Sequence, residues 1–419
     1  MKDKKIVVIG GGAAGFFSAI TCAETFPDAE VHIFEKSANF LNKVRISGGG
    51  RCNVTNGLED PQLIASHFPR GEKELIGPFT KFGTKETMEW FTNRGVPLKI
   101  EDDNRVFPQA DKSKKIIDAL VKAATNAGVF MTLKTVIDQI IPPSEDTNGK
   151  WKLVSADKRE FTCDRVIVTA GGAPQIWNSL SKIGVEIEKP VPSLFTFLVE
   201  ERVADGLAGI SFNDVEVQVV GHKRLKNTGD ILFTHWGLSG PVILKLSSVA
   251  ARQFSRMGYE FKLHIDWFPE ITEEKLRREL ERFRRLYRRK MMDTEPLFNI
   301  PKKMWARLVE KAEIPTRLRW AYSKTEHSEA LIKTLKNTII EITGKSPNKD
   351  EFVTCGGVSL SEVDFKTMQS TRYPGLFFAG EVLDIDGLTG GFNFQAAWTT
   401  GYIAGKSVLS APAYVKEAE

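Results

Sequence analysis

Cysteine is scarce in this chain of 419 residues: there are four, Cys22, Cys52, Cys163 and Cys355, with no CxxC pair among them. That excludes a disulfide-stapled scaffold and a thiolate zinc site, and it suits a reducing compartment, so a cytoplasmic protein is expected. The six histidines lack metal-ligand spacing as well, and no metal is expected. No internal repeat, low-complexity linker or strongly biased segment is present, which leaves no room for a solenoid or a long disordered arm. One stretch does lack charge: Ile6 to Ala23, directly after MKDKK, could pass for a signal peptide or a membrane span. Its centre is Gly10-Gly11-Gly12, a poor hydrophobic region and a good turn, so no membrane segment is expected. What remains is ordinary globular text, long enough for two or three domains with buried cores.

That turn carries the first chemistry. KIVVIGGGAAGFFSAITCAE reads as an apolar β-branched strand, then Gly10-x-Gly12-x-x-Gly15, then a helix of small residues; AEVHIFEK follows as a second strand ending in Glu35. Gly10 makes the tight turn, Gly12 lets the backbone approach a pyrophosphate, and Gly15 lets the helix pack on the strand. Ala13 and Ala14 open a helix whose free N–H groups and positive dipole end face the phosphates, and Glu35 takes the adenosine ribose hydroxyls.

The fingerprint alone does not separate a nicotinamide dinucleotide from FAD, but other stretches do. DRVIVTAGGAP reads as a buried strand running into Ala170-Gly171-Gly172, where bare backbone can lie against the adenosine half. PGLFFAGEVLDIDGLTGGFNFQAAWTTGYIAG delivers Glu381 at a strand end, then opens a small-residue helix at Gly390-Gly391, with three glycines and two acids in one loop. A carboxylate there suits the hydroxyls of a ribityl chain, and a helix N-terminus at a flavin's pyrimidine edge stabilises the reduced ring. Nicotinamide cofactors have no ribityl chain. Only one GxGxxG is present, so NAD(P)H would dock transiently as electron donor, or oxygen would accept the electrons.

From about Pro190 the text changes to short alternating strands such as LFTFLVEE and GYEFKLHIDWF, implying a mostly antiparallel insertion. Within it a strand breaks at Thr234-His235-Trp236-Gly237 before Ser239-Gly240-Pro241 starts a helix-like run. His235 reads either as an acid or base laid beside the flavin or as a loop histidine bonded to backbone. ITEEKLRRELERFRRLYRRKMM is amphipathic, with Leu276, Leu280, Phe283 and Tyr287 on one face. From Ile271 to Lys290 nine basic residues stand against four glutamates, a net of +5 that equals the whole chain's. Such a helix faces an anion such as RNA, or is simply solvated.

GGGAAG, SGGGRCNVTN, TAGG, FTHWGLSGP and FAGEVLDIDGLTGGFNFQAAW, in this order, resemble a family of bacterial FAD-binding flavoproteins described as aminoacetone-oxidase-like, as bile-acid-pathway flavoproteins and as ribosomal RNA dihydrouridine synthases. The resemblance runs nearly end to end and implies an α/β fold: a glutathione-reductase-type FAD-binding Rossmann domain over 1–190 and 352–419. This domain is interrupted by an inserted, mostly antiparallel β domain over 191–268 and about 322–351, which carries a helical subdomain over 269–321. It implies an FAD-dependent oxidoreductase whose substrate, a small molecule or RNA, enters between domain and insertion; ribosomal RNA would be held through the basic helix 271–290. Members differ in substrate, so an amine, a steroid-like acid and a uracil base all stay open. A protein that holds FAD as a structural element and turns nothing over is the competing class.

In such a domain the loop after the second strand passes close to the diphosphate and the ring, which explains a second glycine run, Gly48-Gly49-Gly50. Arg51 is then expected on a phosphate or a flavin carbonyl, Asn53 and Asn56 as neutral donors and acceptors, and Lys36, Asn42 and Lys43 as phosphate or ribose contacts. Cys52 is either a proton donor or adduct former, its thiolate stabilised by Arg51, or a small residue packed on the ring. Val136, Asn393 and Phe394 complete the expected cofactor contacts.

Overall fold

The computed structural model describes residues 4–200, 204–298, 300–346 and 353–411, and the chain divides into two compact units, Met1–Val191 with Val353–Glu419, and Pro192–Phe352.

In the first unit the strand Lys5–Ile9 lies at the heart of a sheet because its apolar run is covered on both faces, with Ile6, Val7 and Val8 fully buried. It pairs in parallel with Glu30–Phe34 on one side and with Arg165–Val168 on the other. Phe130–Thr132 and Leu376–Phe378 continue the parallel order outward. Val363–Asp364 and Gln369–Ser370 add an antiparallel edge, making seven strands. A meander of Ile137–Ile141, Trp151–Ser155 and Glu160–Cys163 precedes the Arg165–Val168 strand. This is the Rossmann-type arrangement implied by the glycine fingerprint.

Two helices pack backbone to backbone in this unit, Ala13–Thr25 after the glycine turn and Phe392–Ser407 after the last strand. A Cβ on Gly401 would stand 2.7 Å from the Ala14 carbonyl oxygen, and one on Gly405 would stand 2.5 Å from that of Ser18. Residue numbers rise together along the contact, so the helices run parallel. The Phe392 end begins nine residues before the level of Ala14. At 1.5 Å per residue that places the second N-terminus roughly 12 Å beyond the first.

The second unit is built on a closed barrel of six strands, Phe197–Val199, Gly237–Ser239, Lys226–Phe233, Ser211–Val219, Phe261–Asp266 and Thr338–Lys345 in spatial order, all paired antiparallel. Closure removes the sheet edges that an open insertion would expose. The helices Glu273–Leu286, Lys302–Lys311 and Thr325–Lys336 share the barrel's core rather than forming their own: Leu276, Leu280, Trp305 and Leu331 belong to one buried cluster with Val217 and Ile265. No helix among the described residues is long and apolar enough to cross a membrane.

Candidate functional site

The three fingerprint glycines do three different jobs. A Cβ on Gly15 would lie 1.9 Å from the Gly10 carbonyl oxygen, so only glycine lets the helix begin on the strand's end. Gly10 has φ +112°, and a Cβ there would stand 2.6 Å from the Thr169 carbonyl oxygen of the neighbouring strand's end. Above Gly12 nothing lies within 4 Å. That open ground in front of Ala13 and Ala14, at the N-terminus of a thirteen-residue helix, is where a pyrophosphate fits.

Next to it is the adenosine end. One cleft is lined by Gly10, Glu35, Lys36, Val136, Ala170 and Ile176, which brings together five residues chosen from four separate sequence stretches. Glu35 accepts from the Gly11 N–H (2.7 Å) and the Ser37 N–H (2.8 Å), which hold its carboxylate at the cleft. A carboxylate has about four acceptor positions, so room is left for ribose hydroxyls. The Leu41 N–H donates to the Gly11 carbonyl (2.9 Å), so the short helix Asn42–Ile46 starts beside the glycine turn and brings Asn42 and Lys43 to it. Gly171 has φ +58°, and a Cβ on Gly172 would meet the Thr354 hydroxyl at 2.9 Å.

Beside the N-terminus of the first helix stands Glu381. A Cβ on the preceding Gly380 would be 2.8 Å from that of Ala14, so the turn is pressed onto the first helix. The carboxylate accepts from the Thr354 N–H (3.1 Å) and forms an ion pair with Lys43. Gly12's open ground, the adenosine cleft and a carboxylate beside the first helix N-terminus fit FAD in an extended pose. Glu35→Ala is expected to weaken FAD binding by about 1.5 to 3 kcal/mol without altering the reduction potential of saturated enzyme. Glu381→Ala should lower affinity and also shift the potential; equal potentials in the two variants would contradict this placement.

The second glycine run answers to backbone shape as much as to space. Gly48, Gly49 and Gly50 have φ of +56°, +67° and +84°, three left-handed residues in succession, and a Cβ on Gly49 or Gly50 would meet nothing within 4 Å. The strand Thr55–Asn56 that follows is then fastened to the start of the last helix. With its amide oxygen toward the helix, Asn53 accepts from the Gly391 N–H at 2.9 Å. Asn56 donates to the Gly390 carbonyl (3.0 Å), Thr55 to Gln395 (2.6 Å) and Trp398 to the Val54 carbonyl (2.9 Å). A Cβ on Gly391 would lie 2.2 Å from the Thr55 carbonyl oxygen. Asn393 bridges the Gly387 N–H and carbonyl (both 2.8 Å), and Phe394 stacks on Trp398. These side chains shape the helix N-terminus; its backbone N–H groups are what can face a flavin's pyrimidine edge.

Arg51 engages two acids, Cys52 is buried, and His235 lies in the second unit. Arg51 is turned to Glu101 (2.6 Å) and Asp111 (3.4 Å) and lies over the Phe107 ring, so a phosphate contact would require it to leave both acids. Cys52 is fully buried, and burial pushes its thiol up to about 12. With Arg51 engaged by Glu101 and Asp111, its support for a thiolate is withdrawn, and Cys52 acts as a small buried residue with φ +65°. His235 belongs to the second unit, exposed with Trp236 at the tip of a tight turn closed by the Thr234 N–H on the Gly237 carbonyl (2.8 Å).

Cys52→Ala should therefore leave turnover unchanged, and it should flatten the alkaline loss of stability. The folded thiol stays neutral from about 9 to about 12 while the unfolded one ionises, so stability falls as pH rises through that window. The slope is about 1.4 kcal/mol per pH unit for each such thiol, which chemical denaturation across the window measures.

Sequence reading missed two features at the last helix. Asp386, fully buried, forms a two-point ion pair with Arg70. His67 stacks on Phe392 (4.2 Å between centroids), while its carbonyl accepts from the Leu388 N–H. Both partners lie between the helices Pro61–Ala65 and Glu72–Lys81, where no motif marks them.

This fold and site define an FAD-dependent oxidoreductase of the Rossmann class. The family model described as HI0933-like protein Rossmann domain matches residues 4–407, and the chain belongs to that family. It is 28% identical over 427 residues to the 3-dehydro-bile acid delta(4,6)-reductase of Clostridium scindens, covering 97% of this chain and 100% of the relative. It is 25% identical over 415 residues to the ribosomal RNA dihydrouridine synthase of Escherichia coli, covering 97% and 98%. Among solved structures, its fold is similar to that of the 3-ketosteroid-delta4-(5alpha)-dehydrogenase from Rhodococcus jostii, with a TM-score of 0.50, 13% identity and 97% of each chain covered.

Proposed function

We propose that this chain is an NAD(P)H-linked reductase that saturates a carbon–carbon double bond conjugated to a carbonyl, and that its substrate is a uracil base in ribosomal RNA. One coincidence of chemistry carries the reading. The Clostridium relative is named for reducing ring double bonds of a 3-oxo bile acid, the Escherichia relative for making dihydrouridine. The substrates have little in common, yet in both a double bond in conjugation with a carbonyl gains one hydride and one proton.

Bound FAD would supply the hydride. The chain's own part is to hold the ring with the last helix's N–H groups at its pyrimidine edge, stabilising negative charge there, and to deliver the proton. Cys52, neutral and buried, is a poor donor. His235, the other candidate acid, is exposed at the tip of its turn in the second unit. Because the single glycine fingerprint is taken by FAD, NAD(P)H binds and leaves without a dinucleotide fold of its own. The basic second unit favours RNA; the bile-acid relative, similar along its full length, favours a steroid-like acid as the second reading.

Anaerobic NADPH or NADH should bleach the bound flavin, and uridine-bearing ribosomal RNA should restore its colour where a 3-oxo-4-ene steroid does not. Ribosomal RNA from cells without the protein should lack dihydrouridine. A flavin that neither nucleotide bleaches overturns the NAD(P)H link. Unchanged nucleosides together with reoxidation by the steroid would select the second reading.

A further inference from the structure

The basic helix is not uniformly basic once its side chains are placed. On the helix Glu273–Leu286, Arg277 forms an ion pair with Glu329 (2.6 Å), Arg278 with Glu274 (2.8 Å) and Arg282 with Glu279 (3.5 Å). Past the helix, Lys290 is paired with Glu295 (3.0 Å). Arg284, Arg285, Arg288 and Arg289 have no carboxylate partner among the described residues. Three of them, with Glu281 and Ala321, line a single concave surface.

Its other wall comes from elsewhere in sequence. The turn Trp320–Tyr322 is fastened to the helix end by the Ala321 N–H on the Arg288 carbonyl and the Trp320 N–H on the Lys290 carbonyl, both 3.0 Å. Trp320 is fully buried beneath this junction, whereas Tyr322 is 70% exposed. Arg317, Arg319 and Lys324 flank the turn, all exposed and likewise without a carboxylate partner among the described residues. The first segment thus lines the concavity with unpaired arginines, and the second reaches it through Ala321, with exposed Tyr322 next to that residue in sequence and further unpaired cations on the same segment.

We propose that this cleft is a docking site for the phosphodiester backbone of single-stranded RNA, with the phosphates on Arg284 and Arg288 and a base stacked on Tyr322. The cations are almost all arginine, whose planar fork meets a phosphate at two points, whereas a lipid surface is served equally well by lysine. An exposed tyrosine beside arginines suits a base stacked next to its own phosphate. The arginines also suit a helix C-terminus electrostatically, but that accounts for neither the second segment nor the tyrosine. The inference rests on the RNA half of the proposed function.

The test uses the full FAD-loaded chain and a uridine-rich single-stranded RNA, with flavin content as the folding control. Arg284→Gln with Arg288→Gln should flatten the slope of log affinity against log salt by about 1.4, two contacts at roughly 0.7 each. The charge-matched pair Arg278→Gln with Arg282→Gln should leave the slope unchanged, because those arginines already face glutamates. Tyr322→Ala should weaken binding by about tenfold with the slope intact. Equal effects of the two arginine pairs would overturn the site while leaving RNA as substrate. Binding to phosphatidylserine vesicles but not to RNA would overturn the ligand. Intact NADPH bleaching with no RNA binding at all would remove the RNA half of the function and this site with it.

Discussion

Gly12→Val is expected to give a folded, colourless protein. At Gly12 the backbone has φ −91° and ψ −165°, an extended conformation that valine favours, and a Cβ there meets nothing within 4 Å. The fold therefore loses nothing by the change. What it loses is the surface on which a pyrophosphate must lie: two methyl groups would stand in front of the free N–H groups of the first helix, and the phosphates could not retreat without giving up those donors. The contrast with Gly15→Ala is sharp, because there the added carbon would sit 1.9 Å from the Gly10 carbonyl oxygen and the fold itself should fail. Visible absorbance and thermal unfolding separate the two. The Gly12 variant should melt where FAD-stripped parent melts and gain no stability from added FAD, whereas parent gains by mass action. Stoichiometric FAD on the purified Gly12→Val protein would mean that the first motif is misassigned.

Much of the cofactor site was legible because it is local. Strand, glycine turn, helix, strand and Glu35 lie within one short stretch, and each glycine's task follows from the geometry of a strand entering a helix. The second run at Gly48 to Gly50 was legible as a place where backbone must come close, but its three left-handed residues were not. Partners far apart in sequence were out of reach. Arg51 meets Glu101 fifty residues on, and Arg277 meets Glu329 across another helix, so a charge pattern that reads as one basic face is in part already neutralised. Burial decides Cys52 in the same way: a cysteine beside an arginine in sequence suggests a thiolate, and only packing shows the thiol walled off from that guanidinium's help. Short alternating strands signalled an antiparallel insertion, while closure into a six-stranded barrel depends on Phe197–Val199 pairing with Thr338–Lys345, more than a hundred residues away.

The loop before the last helix held two acids with no visible reason for either, and Arg70 supplies one. Arg70→Met is expected to destabilise the first unit by about 3 to 5 kcal/mol, since it leaves the Asp386 carboxylate buried without its cation. Asp386 is fully buried and the Arg70 side chain only 11% exposed, so water cannot take the arginine's place. The pair also anchors the segment that Asn393, Asn56 and Asn53 fasten at Gly387, Gly390 and Gly391, just before the last helix. Replacing both partners, Arg70→Met with Asp386→Leu, removes the buried charge along with its need for a partner and should return most of the lost stability. It should not return the helix N-terminus to its place, because an apolar contact has no direction. Thermal unfolding of the double variant should thus approach that of the parent while its flavin reduction potential stays displaced. Recovery of both would make Arg70 and Asp386 a stabilising pair with no part in orienting the flavin site.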